Sequence, residues 1–201
     1  MGRTSDAKER LVETAAEMFP KYGFHAVGVQ QLCNGAGIKP GSFYYFFSSK
    51  QELMVCVLEW RWQQTLEYIF QPIENSDLTP VDKINDFFKR LFYIHDSRKM
   101  QGLPVLGCTF GVVGSELAVH DEEVINKISY IFDQFVGYFE TWLTEAYRNN
   151  LLQILEADIP NIARSLLSFS EGLSLMARVQ NDANIFISQM SYVNNLIGVK
   201  T

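Results

Sequence analysis

The 201 residues are 47% hydrophobic and 13% aromatic with six prolines, which is enough apolar mass for one large domain or a small domain joined to a larger one, and too much for a disordered chain. The longest apolar-looking run, residues 103–114, is broken by Pro104 and three glycines and is too short to cross a bilayer, while the polar amino terminus MGRTSDAKER lacks the apolar core of a signal peptide, so no membrane partner is expected and the expected compartment is the cytoplasm. Acids and bases balance over residues 1–60, so the formal charge of −6 lies wholly beyond residue 60, and between Met18 and Gln51 three lysines stand without a carboxylate, which permits a local positive surface on an acidic protein.

Helical periodicity runs through almost the whole chain. Ser5 precedes an amphipathic run in which Leu11, Val12, Ala15, Met18 and Phe19 share one face. Asp6 and Glu9 suit the positive end of that helix, and Gly23 stops it. A short segment at 29–34 follows, with Val29, Leu32 and Cys33 able to face inward, and then the Gly35-Ala36-Gly37-Ile38 turn. Pro40 fits the first position of another helix running to about Phe47. Ser48 or Ser49 can cap a fourth, longer helix that begins near Lys50, continues past Trp62 and ends by Pro72.

Helix, glycine turn and short helix, with a supporting helix on each side, is the layout of a helix-turn-helix. Phe43 and Phe47, four apart, can pack inward and turn Ser42, Tyr44 and Tyr45 to the opposite side. Lys39, Pro40 and Gly41 then stand at the start of a recognition helix where the backbone can approach DNA, and Lys50 can reach a phosphate. Taken alone, Pro40 and Gly41 read equally well as plain helix-start punctuation.

These residues carry a resemblance. LVETAAEMFPKYGF and AGIKPGSFYYFFSSKQEL, within residues 10–53, resemble the DNA-binding domain of the TetR family of bacterial transcriptional regulators. The resemblance implies an all-α chain of about nine helices, with a helix-turn-helix domain over 1–53 whose fourth helix continues to about 72 as a connector. A larger ligand-binding and dimerisation domain over 54–201 follows. It also implies a homodimer on a palindromic operator in double-stranded DNA, with repression relieved by a small-molecule effector. The chain departs from the family pattern in three ways: Val27 and Gly28 offer no hydroxyl to cap the second helix, Gln31 replaces an acid, and Phe46 cannot donate a hydrogen bond. The missing cap is expected to weaken the start of that helix by about 1 kcal/mol.

Farther along, a polar linker at 74–79 leads to Thr79 as cap and Pro80 as first residue of a helix whose buried stripe is Ile84, Phe87, Phe88, Leu91 and Phe92. The run GLPVLGCTFGVVGSELA opens a further helix that Asp121 separates from a very long one reaching about Tyr147. Its GCTFGVVGSELA portion resembles a branch of the family that includes regulators responding to reactive electrophiles or quinones. Residues 159–180 place Ser165, Ser168, Gly172 and Ser174 among Ile162, Leu166, Leu173 and Met176. A helix over 183–198 adds Ile187, Met190, Val193 and Ile197. The pair can form a two-fold four-helix interface or belong to the monomer core; the resemblance points to the interface.

An apolar effector pocket is expected among the helices bearing Phe92, Cys108, Phe110, Tyr138, Trp142 and Met176. Cys108 behind Gly107 at a helix start could also act as a reactive thiolate, although a small buried hydrophobe is the plainer reading. No enzyme is expected: His25, His95 and His120 are scattered, and no GxSxG or HExxH string occurs. Cys33, Cys56 and Cys108 lack CxxC spacing, so neither a metal nor another cofactor is expected. A helical adaptor that binds only proteins is the rival reading; it would account for the amphipathic helices but not for the acid-free segment.

Overall fold

The computed structural model describes residues 2–117 and 121–200, with side chains from Asp6 onward within them; His120 lies outside the described residues. The helices are α1 (Gly2–Tyr22), α2 (Val29–Gly35), a 3-10 turn (Pro40–Ser42) leading into α3 (Phe43–Phe46), α4 (Lys50–Thr65), a π-helical turn (Leu66–Phe70), α5 (Gln71–Glu74), α6 (Pro80–Met100), α7 (Thr109–Leu117), α8 (Glu122–Arg148), α9 (Ile159–Gln180), α10 (Asn184–Ser188) and α11 (Met190–Leu196). The protein is all-α. Among the described residues none of these helices is long and apolar enough to cross a membrane.

The chain packs as two compact units that are not continuous in sequence. The first comprises Met1–Gln64 with Thr109–Ser129, the second Thr65–Cys108 with Tyr130–Thr201. Packing thus takes α7 and the start of α8 into the unit that holds the helix-turn-helix, although they lie far beyond residue 53.

In the first unit, α1 begins before Ser5 and buries Leu11, Val12, Ala15, Ala16 and Phe19. Gly23, at φ +89°, lets the chain leave it, because an L side chain would be strained there. Helix α1 packs on α2 and on α7. Ser49 caps α4 by accepting from the Glu52 N–H at 3.1 Å, and Asp121 caps α8 by accepting from Val124 N–H at 3.0 Å; both caps leave fewer helix-end N–H groups without a partner.

The second unit is built around aromatic rings. Phe70 stacks on Tyr138 with centroids 4.0 Å apart and meets Phe87, Phe135 and Trp142, while Phe139 packs on Phe87 and Trp142. Thr79 caps α6 through the Asp82 N–H at 3.2 Å, and Ile84, Phe87 and Phe88 are fully buried from that helix while Leu91 and Phe92 are only half-buried. The last helical stretch is not continuous over 183–198: it breaks at Gln189 between α10 and α11, and Val193 and Ile197 are fully buried. The carboxy-terminal end is tied back by an isolated antiparallel bridge between Leu152 and Val199.

Candidate nucleic-acid interface

Helix α2 buries Leu32 and Cys33 and ends in hydrogen bonds from Ala36 N–H to Leu32 O and from Ile38 N–H to Cys33 O, each 2.9 Å. Gly37 has φ +65°, which permits the reversal. Arg10, on α1, donates from Nε to the Ala36 carbonyl at 3.0 Å and so fixes the turn from outside. The sequence reading missed Arg10, since nothing local to residue 10 signals a partner 26 residues away.

Lys39 is extended and exposed, Pro40 takes the first helical position, and the 3-10 turn passes into α3. The two faces of α3 differ completely. Phe43 and Phe47 are 0% and 1% exposed, whereas Tyr44 and Tyr45 are 68% and 76% exposed. Removing two phenylalanine rings from water stabilises this face by several kcal/mol, which leaves the tyrosine hydroxyls, the half-exposed Ser42 and the exposed Gly41 on the other side. A Cβ built on Gly41 would meet nothing within 4 Å among the described residues. No contact inside the fold therefore requires glycine there.

Lys50, expected to hold a phosphate, is turned into the fold instead. Its Nζ donates to Phe24 O at 2.6 Å and to Val27 O at 2.9 Å, and it lies 4.3 Å from the centre of the Phe24 ring. Partial burial pushes its pKa down, and the nearby Glu116 carboxylate acts in the opposite direction. Glu116, from α7, accepts from the Phe24 N–H at 2.8 Å and the His25 N–H at 2.9 Å, one to each oxygen. The stretch that lacks acids in the sequence is thus given one by the fold. At the start of α2, where no hydroxyl is available, Gln31 Oε1 accepts from Gly28 N–H at 2.8 Å and restores half of a capping box.

Of the expected effector residues, two stand together. Tyr138 and Trp142 belong to the Phe70 group, and the Trp142 indole donates to Glu74. Burial, and secondarily Glu74, pushes the Tyr138 phenol up. Phe110 is buried in the first unit. Phe92 is half-buried beside Tyr93, and Met176 is 45% exposed on α9. Their helical phases were readable, but which phase each neighbour occupies was not.

Cys108 ends a strap pinned to α6, α9 and the turn after α9. Arg98 donates to Pro104 O at 3.2 Å, Val105 N–H donates to Asn181 Oδ1 at 3.0 Å, and Arg178 donates to Leu106 O at 2.8 Å. The Cys108 thiol donates to Glu171, whose carboxyl burial pushes up while this bond pulls it down. On α9, Ser165, Ser168 and Gly172 are exposed together with Leu175, Met176 and Val179. Ser174 departs from the expected small-residue face: it is buried, with its carbonyl 2.9 Å from where a Cβ on Gly107 would lie.

Residues 11–56 match the family model described as bacterial regulatory proteins, tetR family. An uncharacterised HTH-type transcriptional regulator, YxaF of Bacillus subtilis (strain 168), is 27% identical over 147 residues, covering 72% of this chain and 74% of that one. The HTH-type transcriptional repressor DhaR of Mycobacterium sp. (strain GP1) is 24% identical over 183 residues, covering 90% and 87%. In solved form, a TetR-family regulator from Agrobacterium tumefaciens superposes with a TM-score of 0.86 at 16% identity, over 99% of this chain and all of that one.

Proposed function

We propose that this chain, which belongs to the TetR family of bacterial regulatory proteins and is a helix-turn-helix transcriptional regulator rather than an enzyme, is a cytoplasmic homodimeric repressor released from a palindromic operator by a small, largely apolar effector. The observation that carries the DNA-binding half is the division of α3: Phe43 and Phe47 fully buried, Tyr44 and Tyr45 almost free. A helix fixed by one face and bare on the other can enter a major groove, with Tyr44, Tyr45, Ser42 and Lys39 reaching phosphates and base edges and Gly41 allowing close approach. Pro40 presets the start of that helix.

Homodimerisation is supported by the exposed stripe of Ser165, Ser168, Gly172, Leu175, Met176 and Val179 along α9, where small residues let a second copy approach and the apolar ones lose water on contact. The effector belongs in the domain over 54–201, where His95 Nδ1 and Asn85 Oδ1 on α6 are buried without a hydrogen-bond partner among the described residues, an arrangement a bound polar group could satisfy. Sensing an electrophile at Cys108 is the second reading. The bond from its thiol to Glu171 argues for the reversible ligand, because a thiolate formed there would face a carboxylate.

The test is fluorescence anisotropy with the duplex upstream of the protein's own gene. A regulator binds it with Kd of about 10⁻⁸ M or tighter at physiological salt, and log K falls linearly with log salt. An adaptor binds no duplex. The two modes of sensing separate in peptide mass spectrometry after treatment with a small electrophile: release of DNA without an adduct on Cys108 supports the reversible site. Cys33 and Cys56, whose thiols burial pushes up, serve as controls.

A further inference from the structure

The loop between α1 and α2 has almost no structure of its own. Its backbone polar groups are satisfied by side chains from two distant elements: the N–H groups of Phe24 and His25 by the two oxygens of Glu116 on α7, and the carbonyls of Phe24 and Val27 by the ammonium of Lys50 at the start of α4. The ammonium also lies over the Phe24 ring at 4.3 Å, and the two charges act on each other. A carboxylate accepting two N–H groups at once fixes both the position and the rotation of that backbone, as a single bond would not. Helix α2 starts at Val29, directly after the loop, and leads through the Gly37 turn into α3.

Resting on the reading of α3 as the DNA-contacting helix, we propose that Glu116 and Lys50 form a two-sided clamp that positions the helix-turn-helix for operator binding, with Glu116 as the positioning residue and Lys50 serving the loop rather than a phosphate. The clamp ties the loop ahead of α2 to α7 within the first unit.

The experiment measures operator Kd and its salt slope by anisotropy, and amide exchange at Phe24 and His25, for the full-length protein, Glu116→Gln, Lys50→Met and the double variant. Glutamine keeps one acceptor oxygen and loses the other with the charge, so exchange at one or both amides rises and operator affinity falls about tenfold. The salt slope stays that of the wild type in both single variants, because no phosphate contact is lost. The double variant binds no worse than the weaker single one, since the residues act as one unit. Glu116→Asp, which keeps the charge but is one methylene short, weakens binding in the same direction and covers the case in which Glu116→Gln does not fold. A lower melting temperature with unchanged Kd for the folded protein reduces Glu116 to a structural contact and overturns the proposal. A salt slope reduced by about one for Lys50→Met returns Lys50 to the phosphate and overturns its half. If wild type binds no duplex, the regulator reading fails instead, a result distinct from either of these.

Discussion

Two aromatic groups of this chain do opposite things. Around Phe70, the rings of Phe87, Phe135, Tyr138, Phe139 and Trp142 are consumed by one another, whereas over α3 and its cap Phe43 and Phe47 anchor, Phe46 is half-buried, and Tyr44 and Tyr45 are left bare. Aromatic density is high in both places, so density alone does not mark a site. What separates them is phase. Tyr44 and Tyr45 fall on the side of α3 opposite to Phe43 and Phe47, and nothing in the first unit covers them more than partly; Tyr138 and Trp142 lie on the same side of α8 as Phe135 and Phe139, toward Phe70.

The sharpest way to break this comparison is to remove one ring from each group. Trp142→Ala empties a fully buried site and removes its indole bond to the exposed Glu74 carboxylate, so unfolding free energy should fall by about 3–5 kcal/mol in urea titrations. Tyr45→Ala should change it by less than about 0.5 kcal/mol and weaken operator binding. If Tyr45→Ala destabilises the fold as Trp142→Ala does, its exposure has another purpose than DNA.

How much of this could be read from the sequence follows the same division. The short helix α3 and its buried side were legible because their determinants are local: Phe43 and Phe47 four apart, Gly37 at the turn, Pro40 at the helix start. The cap at Thr79, and Ser49 as one of two candidate serines, were legible for the same reason, whereas Asp121 was readable only as a break between two helices. Lys50 and Glu116 were not. Hydrogen bonds they make span 26 and 91–92 positions, and nothing local to either residue announces them. Helical spacing likewise fixes which residues of one helix share a face but not what packs against that face, so the burial of Phe110 and the 45% exposure of Met176 were not readable from it.

His95 sharpens the comparison from the side of the second unit, where a polar ring sits among apolar ones. It is 6% exposed, stacks on Phe186 with planes 10° apart, and burial, helped by the Arg98 charge, lowers its pKa to about 4. The unfolded chain holds this histidine near 6.5 and so binds more protons between those two values. Stability is therefore fully present above pH 6.5 and is lost as pH falls toward 4. Between pH 7 and pH 5 the contribution amounts to about 2 kcal/mol. The difference in urea midpoint between those pH values should shrink accordingly in His95→Leu, and an equal pH dependence in the variant would show that His95 does not carry it.

The smallest effect on stability is expected at Gly41, and it tests the first unit against the second most directly. Gly107 and Gly41 are both glycines near functional segments, but their surroundings differ. Gly107 has φ +71°, and a Cβ there would lie 2.9 Å from the Ser174 carbonyl oxygen, so Gly107→Ala combines backbone strain with a clash against the α9 backbone and should destabilise by about 1–3 kcal/mol. Gly41 has neither feature: its Cβ would stand in open space, and its φ lies outside the left-handed region. Gly41→Ala should leave the melting temperature unchanged or raise it slightly, since alanine loses less entropy on entering a helix. Operator affinity should nevertheless fall, because the added methyl stands where α3 is proposed to approach the DNA backbone. The two substitutions thus invert stability and binding. Calorimetry and anisotropy on the same preparations decide the matter: full operator affinity in Gly41→Ala would mean that the start of α3 does not face the groove, and that contact rests on Tyr44 and Tyr45 alone.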